Sequence, residues 1–599
     1  MTLRRGAQSV AVRPQSAQKG DIVRKPRAAN PRVLRIGLAV AGCLAVATLS
    51  GAQPVRLVKD IQPVPNSTLA PYLRIGRFAS LGDRLVFAGR EGFDPSWLWT
   101  TDGTTEGTVP LGPHPGTYGA ILGPIALGPI AIFGVEGHGI WKTDGTPEGT
   151  VLIKNVPLAP TEYVCGYPEL AGSPCHSFVV VGSLAYFVTI DNKGSEVWRT
   201  DGTATGTRPL IAFPPLGVAH HLVAFRNRLY FGGTLTLKSF GIFSSDGTPE
   251  GTKFFKKGVT TGGLAVAGAK LFFTDADTNS VWVSDGSPRG TKRLTRFNPH
   301  DRSMYVVDLA TAGTSAFFKV VKESGRELWT SDGTAAGTHV VIPEGETLLD
   351  TSSSAPLDGH LLFFSRGGED NYLWKSDGTV AGTRIVKNLG PSDCVNNYSD
   401  SSCDISLETA AGRVFFALTN NLASDLWVSD GTDAGTHMVA SFSIDSIPGG
   451  VTRLGSSVLF GAHVGPSVIS PMAELWAMPA PIDVFVRDTR GELGTCGGTA
   501  EFPVLLSGPS EDVVTVEFAT ADGTGRAGVD YQPASGTLSF PPGSVASAVQ
   551  VTLTCMPGVR AAPKTFFLDL TNATEARIAR ARGMAGPGTG PVRTTVSAR

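Results

Sequence analysis

The chain has 599 residues, with Gly 73, Pro 41 and only 17% charged residues, and its 51 Lys and Arg nearly balance 52 Asp and Glu. That length exceeds one ordinary core, and the composition suits turn-rich β structure over long helices. A net charge of −1 gives no electrostatic case for nucleic acid.

The first 35 residues hold nine Lys or Arg (Arg4, Arg5, Arg13, Lys19, Arg24, Lys25, Arg27, Arg32, Arg35) against Asp21 alone. An apolar stretch from Ile36 to Leu49 and the small residues Ser50-Gly51-Ala52 before Gln53 follow, the layout of a secretory signal over residues 1 to 52. Val40-Ala41-Gly42-Cys43 resembles a bacterial lipobox, which implies a lipoprotein anchored through Cys43, although the apolar run continues beyond it. Cleavage at Gln53 would leave 42 basic and 51 acidic residues, a net charge of −9. No later stretch reaches transmembrane length, so the expectation is a secreted or cell-envelope chain with no transmembrane helix when mature.

An aromatic residue ending a short apolar run then recurs at Trp99, Trp141, Trp198, Phe243, Trp282, Trp329, Trp374, Trp427 and Trp476, at intervals of 39 to 57 residues. The first eight lead into a turn reading S/T-D-G-T/S-x-x-G-T, as in Thr101-Asp102-Gly103-Thr104. Each copy has a second run ending in Phe upstream, at Phe87, Phe133, Phe187, Phe231, Phe273, Phe318, Phe364, Phe416 and Phe460. The gap between the two accommodates a strand end, a polar loop and a strand start. With a third strand after the turn and a fourth before the Phe run, each copy predicts a four-stranded blade. The turn aspartates read as backbone-capping residues and the Trp slot as core between blades.

The ninth copy stops at Trp476 without the turn, and Val55-Arg56-Leu57-Val58-Lys59-Asp60-Ile61 matches the missing strand, as comparison with Thr150-Val151-Leu152-Ile153-Lys154-Asn155-Val156 shows. The predicted fold is therefore all-β: a closed β-propeller over residues 53 to 480 of about nine four-stranded blades, or eight if one copy is degenerate, whose N-terminal strand completes the last blade. These repeats resemble the E-L-W-x-x-D-G-T repeat family of bacterial secreted proteins over about 55 to 480, with the opening triplet intact at Glu327-Leu328-Trp329 and Glu474-Leu475-Trp476. The resemblance implies a surface or secreted repeat protein with no established chemistry.

After Pro481 the pattern alternates: Phe502, Val504, Leu506; Val514, Val516, Phe518; Val549, Val551, Leu553; Phe566, Leu568, Leu570. This predicts a small β-sandwich over 482 to 599 ending in a tail. Thr520-Ala521-Asp522-Gly523-Thr524-Gly525-Arg526-Ala527-Gly528-Val529-Asp530-Tyr531, then Ser535-Gly536-Thr537-Leu538-Ser539-Phe540-Pro541-Pro542-Gly543, is similar to the Calx-β signature. That resemblance implies a Greek-key β-sandwich and calcium as a candidate cofactor, with Glu492 and Asp522 at positions comparable to family ligands. The acidic run expected later is replaced by a segment bearing Arg560 and Lys564, a poor start for a cation wanting six to eight oxygens.

Six cysteines fall as local pairs, Cys165 with Cys175, Cys394 with Cys403 and Cys496 with Cys555, and read as disulfides of an oxidising compartment. Asp275-Ala276-Asp277-Thr278-Asn279 opens like a calcium loop but lacks its glycine and bidentate glutamate. His220-His221 lacks a third ligand nearby, and strand alternation would send the two rings apart. No nucleophile elbow, zinc helix or phosphate loop is present. The function expected is non-enzymatic binding or scaffolding of an adhesion type, with an unknown protein or glycan at the cell surface as partner; the alternative is a propeller hydrolase or lyase with its site on the axial face.

Overall fold

The structure is a computed structural model that describes residues 55–585, apart from 62–74, 76, 91–95, 112–120, 136, 157, 159–177, 192–193, 216, 237, 260, 298–303, 324, 343–353, 368–369, 392–406, 420–422, 444–448, 463–473, 490–497 and 555–563. Residues 52–599 belong to one compact unit.

The chain is all-β. Nine four-stranded antiparallel sheets follow one another: sheet 1 (79–110), 2 (121–154), 3 (178–213), 4 (219–257), 5 (261–293), 6 (305–342), 7 (354–391), 8 (407–443) and 9 (449–479). In sheets 1 to 8 the strands pair in chain order. Sheet 9 takes three strands from its own copy, and its fourth is Arg56–Asp60, paired with Glu474–Pro479 through Leu57↔Trp476. The match between the two ends of the repeat, read from sequence, is thus a strand pairing.

The two aromatic slots face each other across neighbouring strands: Phe87↔Trp99, Phe133↔Trp141, Phe187↔Trp198, Phe231↔Phe243, Phe273↔Trp282, Phe318↔Trp329, Phe416↔Trp427 and Phe460↔Trp476. Sheet 7 departs from the expectation. Its register matches that of the other sheets, but the slot is filled by Phe363, which opposes Trp374, while the neighbouring Phe364 packs edge-on against Phe416 of sheet 8.

Each aromatic pair contributes to a core shared by two consecutive sheets. Trp141 lies with Val86 and Leu98 between sheets 1 and 2, and Trp476 lies with Phe415 and Phe442 between sheets 8 and 9. The ninth such core joins sheet 9 to sheet 1: Val58, Ile61, Leu459 and Leu475 pack with Leu85, Phe87 and Trp99. Full burial of each such apolar side chain contributes about 1.5 to 3 kcal/mol, which makes these seams the main stabilising element.

In seven sheets the outermost strand bulges opposite the aromatic residue. The extra residue is apolar throughout, namely Val58, Ile153, Leu210, Phe255, Val341, Val386 and Val439, and all but Phe255 are fully buried. The bulge therefore turns an additional side chain into the seam while interrupting the exposed ladder.

Past sheet 9, two four-stranded sheets face each other. One runs Ala546–Thr552, Thr499–Leu506, Asp483–Val486, Arg577–Arg580, and the other Ser535–Phe540, Val514–Asp522, Phe566–Thr574, Arg582–Ala585. The residues expected to point inward, including Phe502, Val516, Val551 and Leu568, form a single core between them. Asp483–Val486 pairs in parallel with Arg577–Arg580, and the other strand-to-strand ladders of these two sheets are antiparallel.

Candidate functional site

Asp522 closes the strand Val514–Asp522 at one end of the sandwich, where the chain turns through Gly523 and Gly525. Its Oδ1 accepts hydrogen bonds from the Tyr531 hydroxyl at 2.6 Å and the Ala527 amide at 2.8 Å. Those donors, the tyrosine first, hold the Asp522 carboxyl below its ordinary range. Burial, then the Asp522 carboxylate, pushes the Tyr531 phenol up to about 12. Asp530 receives the Lys564 ammonium at 2.7 Å and the Arg526 amide at 2.9 Å. Among the described residues these donors do not fit calcium: one carboxylate is occupied by a hydroxyl and an amide, and the other is neutralised by a tethered cation. Glu492 and the cysteines Cys43, Cys165, Cys175, Cys394, Cys403, Cys496 and Cys555 lie outside the described residues. Among the described residues no group of three His, Cys, Asp or Glu is placed to hold a metal.

The eight repeat turns use their carboxylates in one way. Asp102 Oδ1 accepts from the Thr104 amide at 2.9 Å and the Thr104 hydroxyl at 2.7 Å, the Gly103 amide donates to Thr101 Oγ1, and Thr101 and Thr108 join their hydroxyls at 2.7 Å. The same pattern recurs around Asp201, Asp332 and Asp430. The second glycine has a steric cause that sequence reasoning missed: a Cβ on Gly107 would stand 2.0 Å from Asp102 Oδ1, and one on Gly251 would stand 1.9 Å from Asp246 Oδ1. The turn carbonyls in turn receive latches from the preceding sheet. Arg84 Nη1 donates to Gly145 O at 3.3 Å, Lys375 Nζ to Gly431 O at 2.6 Å, and Arg56 Nη2 of sheet 9 to Gly103 O of sheet 1 at 3.0 Å.

The first strands of several sheets carry bulges with left-handed residues, at Gly123, His221, Asp308 and Gly450. The bulge overturns the alternation expected for the histidines. With His221 at φ 53°, both rings turn to one side and their Nδ1 atoms lie 2.7 Å apart, one donating to the other. Burial, then its neighbour, pushes His220 down to about 3, and burial lowers His221. Asp308 binds Lys319 at 2.9 Å, and Glu408 of sheet 8 accepts from the Gly450 and Val451 amides of sheet 9. The His220-His221 doublet was visible in the sequence but its geometry was not, and Asp308 and Glu408 carried no readable signal, because each arrangement depends on a bulge.

Where the sandwich meets the repeats, Asp483 accepts from Arg413 Nη1 of sheet 8 at 2.9 Å and from Arg577 Nε at 2.9 Å and Nη2 at 3.1 Å. Arg577 also reaches Asp358 of sheet 7 at 3.2 Å. Burial alone would lower the Arg577 pKa, but hydrogen bonding and attraction from Asp483 outweigh it and the net shift is upward. Ser456 donates to Glu511 at 3.0 Å, and Arg453 lies against Gly508, so sheets 7, 8 and 9 all touch the sandwich.

Residues 480–587 match the Calx-beta domain family. Among solved structures, the apo-form Calx CBD1 domain is 27% identical, with 17% of this chain and 95% of that one covered at a TM-score of 0.16. A puromycin-hydrolysing peptidase of Mycobacterium tuberculosis is 13% identical over 70% of this chain, which spans 62% of that protein, with a TM-score of 0.35. An oligogalacturonate lyase in complex with manganese is 11% identical over 69% of this chain and 92% of that one, with a TM-score of 0.31. No curated protein matches the chain.

Proposed function

We propose that this chain is a secreted or cell-surface, non-enzymatic binding or scaffolding protein, in which nine sheets close into a propeller and the Calx-beta sandwich is held against sheets 7 to 9. The observation that carries the functional reading is the Calx-beta match over 480–587 on a sandwich joined by a buried ion network to the repeats. Closure of the ring is supported by the seam between sheets 9 and 1 and by Arg56 donating to Gly103. The basic leader and h-region before Gln53 support a location outside the cytoplasm, and this reading takes Cys165–Cys175, Cys394–Cys403 and Cys496–Cys555 as disulfides of that compartment. The partner class is a protein or glycan of the cell surface.

The test is to screen the purified full chain against a glycan array and immobilised cell-envelope proteins, alongside assays of peptide and uronate cleavage. Saturable binding without product release supports the reading. Steady turnover of any of these substrates overturns it.

A further inference from the structure

The repeats blunt every one of their outermost strands. In seven sheets that strand is bulged, and in sheets 1 and 5 it is two residues long, Val109–Pro110 and Lys292–Arg293. One flank of the sandwich follows the same rule. Its end strands Arg577–Arg580 and Arg582–Ala585 have four residues each and carry Arg577, Arg580 and Arg582. Short length, charge and bulges are the devices that keep a row of unpaired backbone groups from templating another strand.

The other flank lacks all of them. Ser535–Phe540, sequence Ser-Gly-Thr-Leu-Ser-Phe, stands at the end of its sheet and, among the described residues, pairs with Val514–Asp522 alone. It has six residues, no charge and no proline, and its register runs unbroken from Val514↔Phe540 to Ala519↔Ser535. Ser535, Gly536, Thr537 and Ser539 are exposed. The neighbouring end strand Ala546–Thr552 is also uncharged, but the Gln532 amide donates to Thr552 O at 2.9 Å and covers its far end.

We propose that Ser535–Phe540 is a pairing edge for a second copy of this chain, the two identical strands meeting antiparallel about a two-fold axis. Charge selects this occupant. A strand bearing Lys or Glu would find no counter-charge on the edge, whereas an identical strand brings none and sets no like charges opposite each other. A two-fold arrangement also makes the contact self-complementary and closed, so it stops at a dimer with a continuous eight-stranded sheet in place of a growing ribbon.

Sedimentation velocity of the full chain over a concentration series tests this. The wild type is expected to double its mass with rising concentration. Thr537→Lys, which places the lysine opposite Glu517 within the sheet, is expected to stay at single-chain mass with an unchanged melting temperature, while Gln550→Lys on the neighbouring end strand dimerises like the wild type. Hydrogen exchange of the 535–540 amides gives a reading independent of any variant: protection that rises with wild-type concentration supports self-pairing. A wild type at single-chain mass throughout, a T537K protein that dimerises unchanged, or protection that appears only when a different protein is added would each overturn the proposal.

Discussion

Asp483, at the start of the sandwich, and Arg413, in sheet 8, form an ion pair at 2.9 Å in which both side chains are only 10% exposed. Gly412 beside it has a positive φ, and a Cβ there would stand 2.7 Å from Asp483 Oδ2, so the carboxylate fits closely against the repeat. Removing the negative charge leaves Arg413 and Arg577 facing each other without compensation. Asp483→Asn should therefore cost on the order of 3 kcal/mol, the size seen when one partner of a buried pair is lost. Denaturation followed by separate probes of the two modules should show two transitions in the variant where the parent shows one; coincident transitions with an unchanged midpoint would contradict the role given to Asp483.

Truncation of residues 53 to 61 tests the seam between the ends of the repeat. It removes Val58 and Ile61, both fully buried, from the core shared with Leu85 and Phe87, and leaves sheet 9 with three strands. Two buried aliphatic side chains together contribute roughly 3 to 6 kcal/mol. A urea midpoint lowered to match is expected, and an unaltered one would show that the N-terminal strand stabilises nothing.

Much of this was legible in the sequence because the signals were periodic. The aromatic slots gave the sheet number, and the alignment of Val58 with Ile153 gave the fourth strand of sheet 9, since both are the extra inward residue of a bulge. The sandwich was legible through strict alternation, which the core residues Phe502, Val516 and Leu568 obey. What sequence could not supply was everything that depends on a broken period. His220 and His221 were separated by an alternation that the bulge removes, whereas Phe364 was named for a slot that its neighbour Phe363 fills in an unshifted register. Asp483, Arg413 and Arg577 are distant in the chain and meet only through the packing of two modules. Glu492 and the cysteines lie outside the described residues, and the Asp522 carboxylate is committed to Tyr531 and Ala527.

The repeat turn makes a prediction about coupling between two residues. Gly149→Ala drives a Cβ to 2.0 Å from Asp144 Oδ1, so the turn must open and its hydrogen bonds to Thr146 weaken. The single variant should lose about 1 to 3 kcal/mol. Asp144→Ala removes the obstructing carboxylate, so the double variant should be less destabilised than the sum of the two singles. Additive losses in a double-mutant cycle would mean that the glycine serves some other purpose.

The indole groups explain the glutamate that stands two residues before the Trp in three of the repeats. Glu327 accepts from Trp329 Nε1 at 2.8 Å, Glu474 from Trp476 at 3.1 Å, and Glu196 from Trp198 at 2.9 Å. In sheet 8 the same position is Asp425, which is one methylene shorter and bonds Ser441, and the buried Trp427 Nε1 has no partner among the described residues. Asp425→Glu should satisfy that indole and raise stability by about 0.5 to 1.5 kcal/mol. A melting temperature equal to or below that of the parent would sink this account of the triplet.

Acid should destabilise the protein in two separable windows. His220 and His221 are held neutral below their ordinary value of 6.5, so the unfolded chain takes up protons first and stability falls as pH drops from about 6.5 toward the folded value of about 3 for His220. Asp102, Asp144, Asp201, Asp246, Asp285, Asp332 and Asp377 have depressed values, chiefly through the hydroxyl of the Thr or Ser two residues on. Their contribution is complete above the unfolded value of 3.8 and is lost as pH falls below it. His220→Asn should therefore flatten the melting-temperature profile between about pH 6 and 4, and Asp201→Asn should change it only below about pH 4. An identical slope in wild type and His220→Asn across the upper window would mean that the paired imidazoles are exposed to solvent protons, contrary to their burial at the bulge.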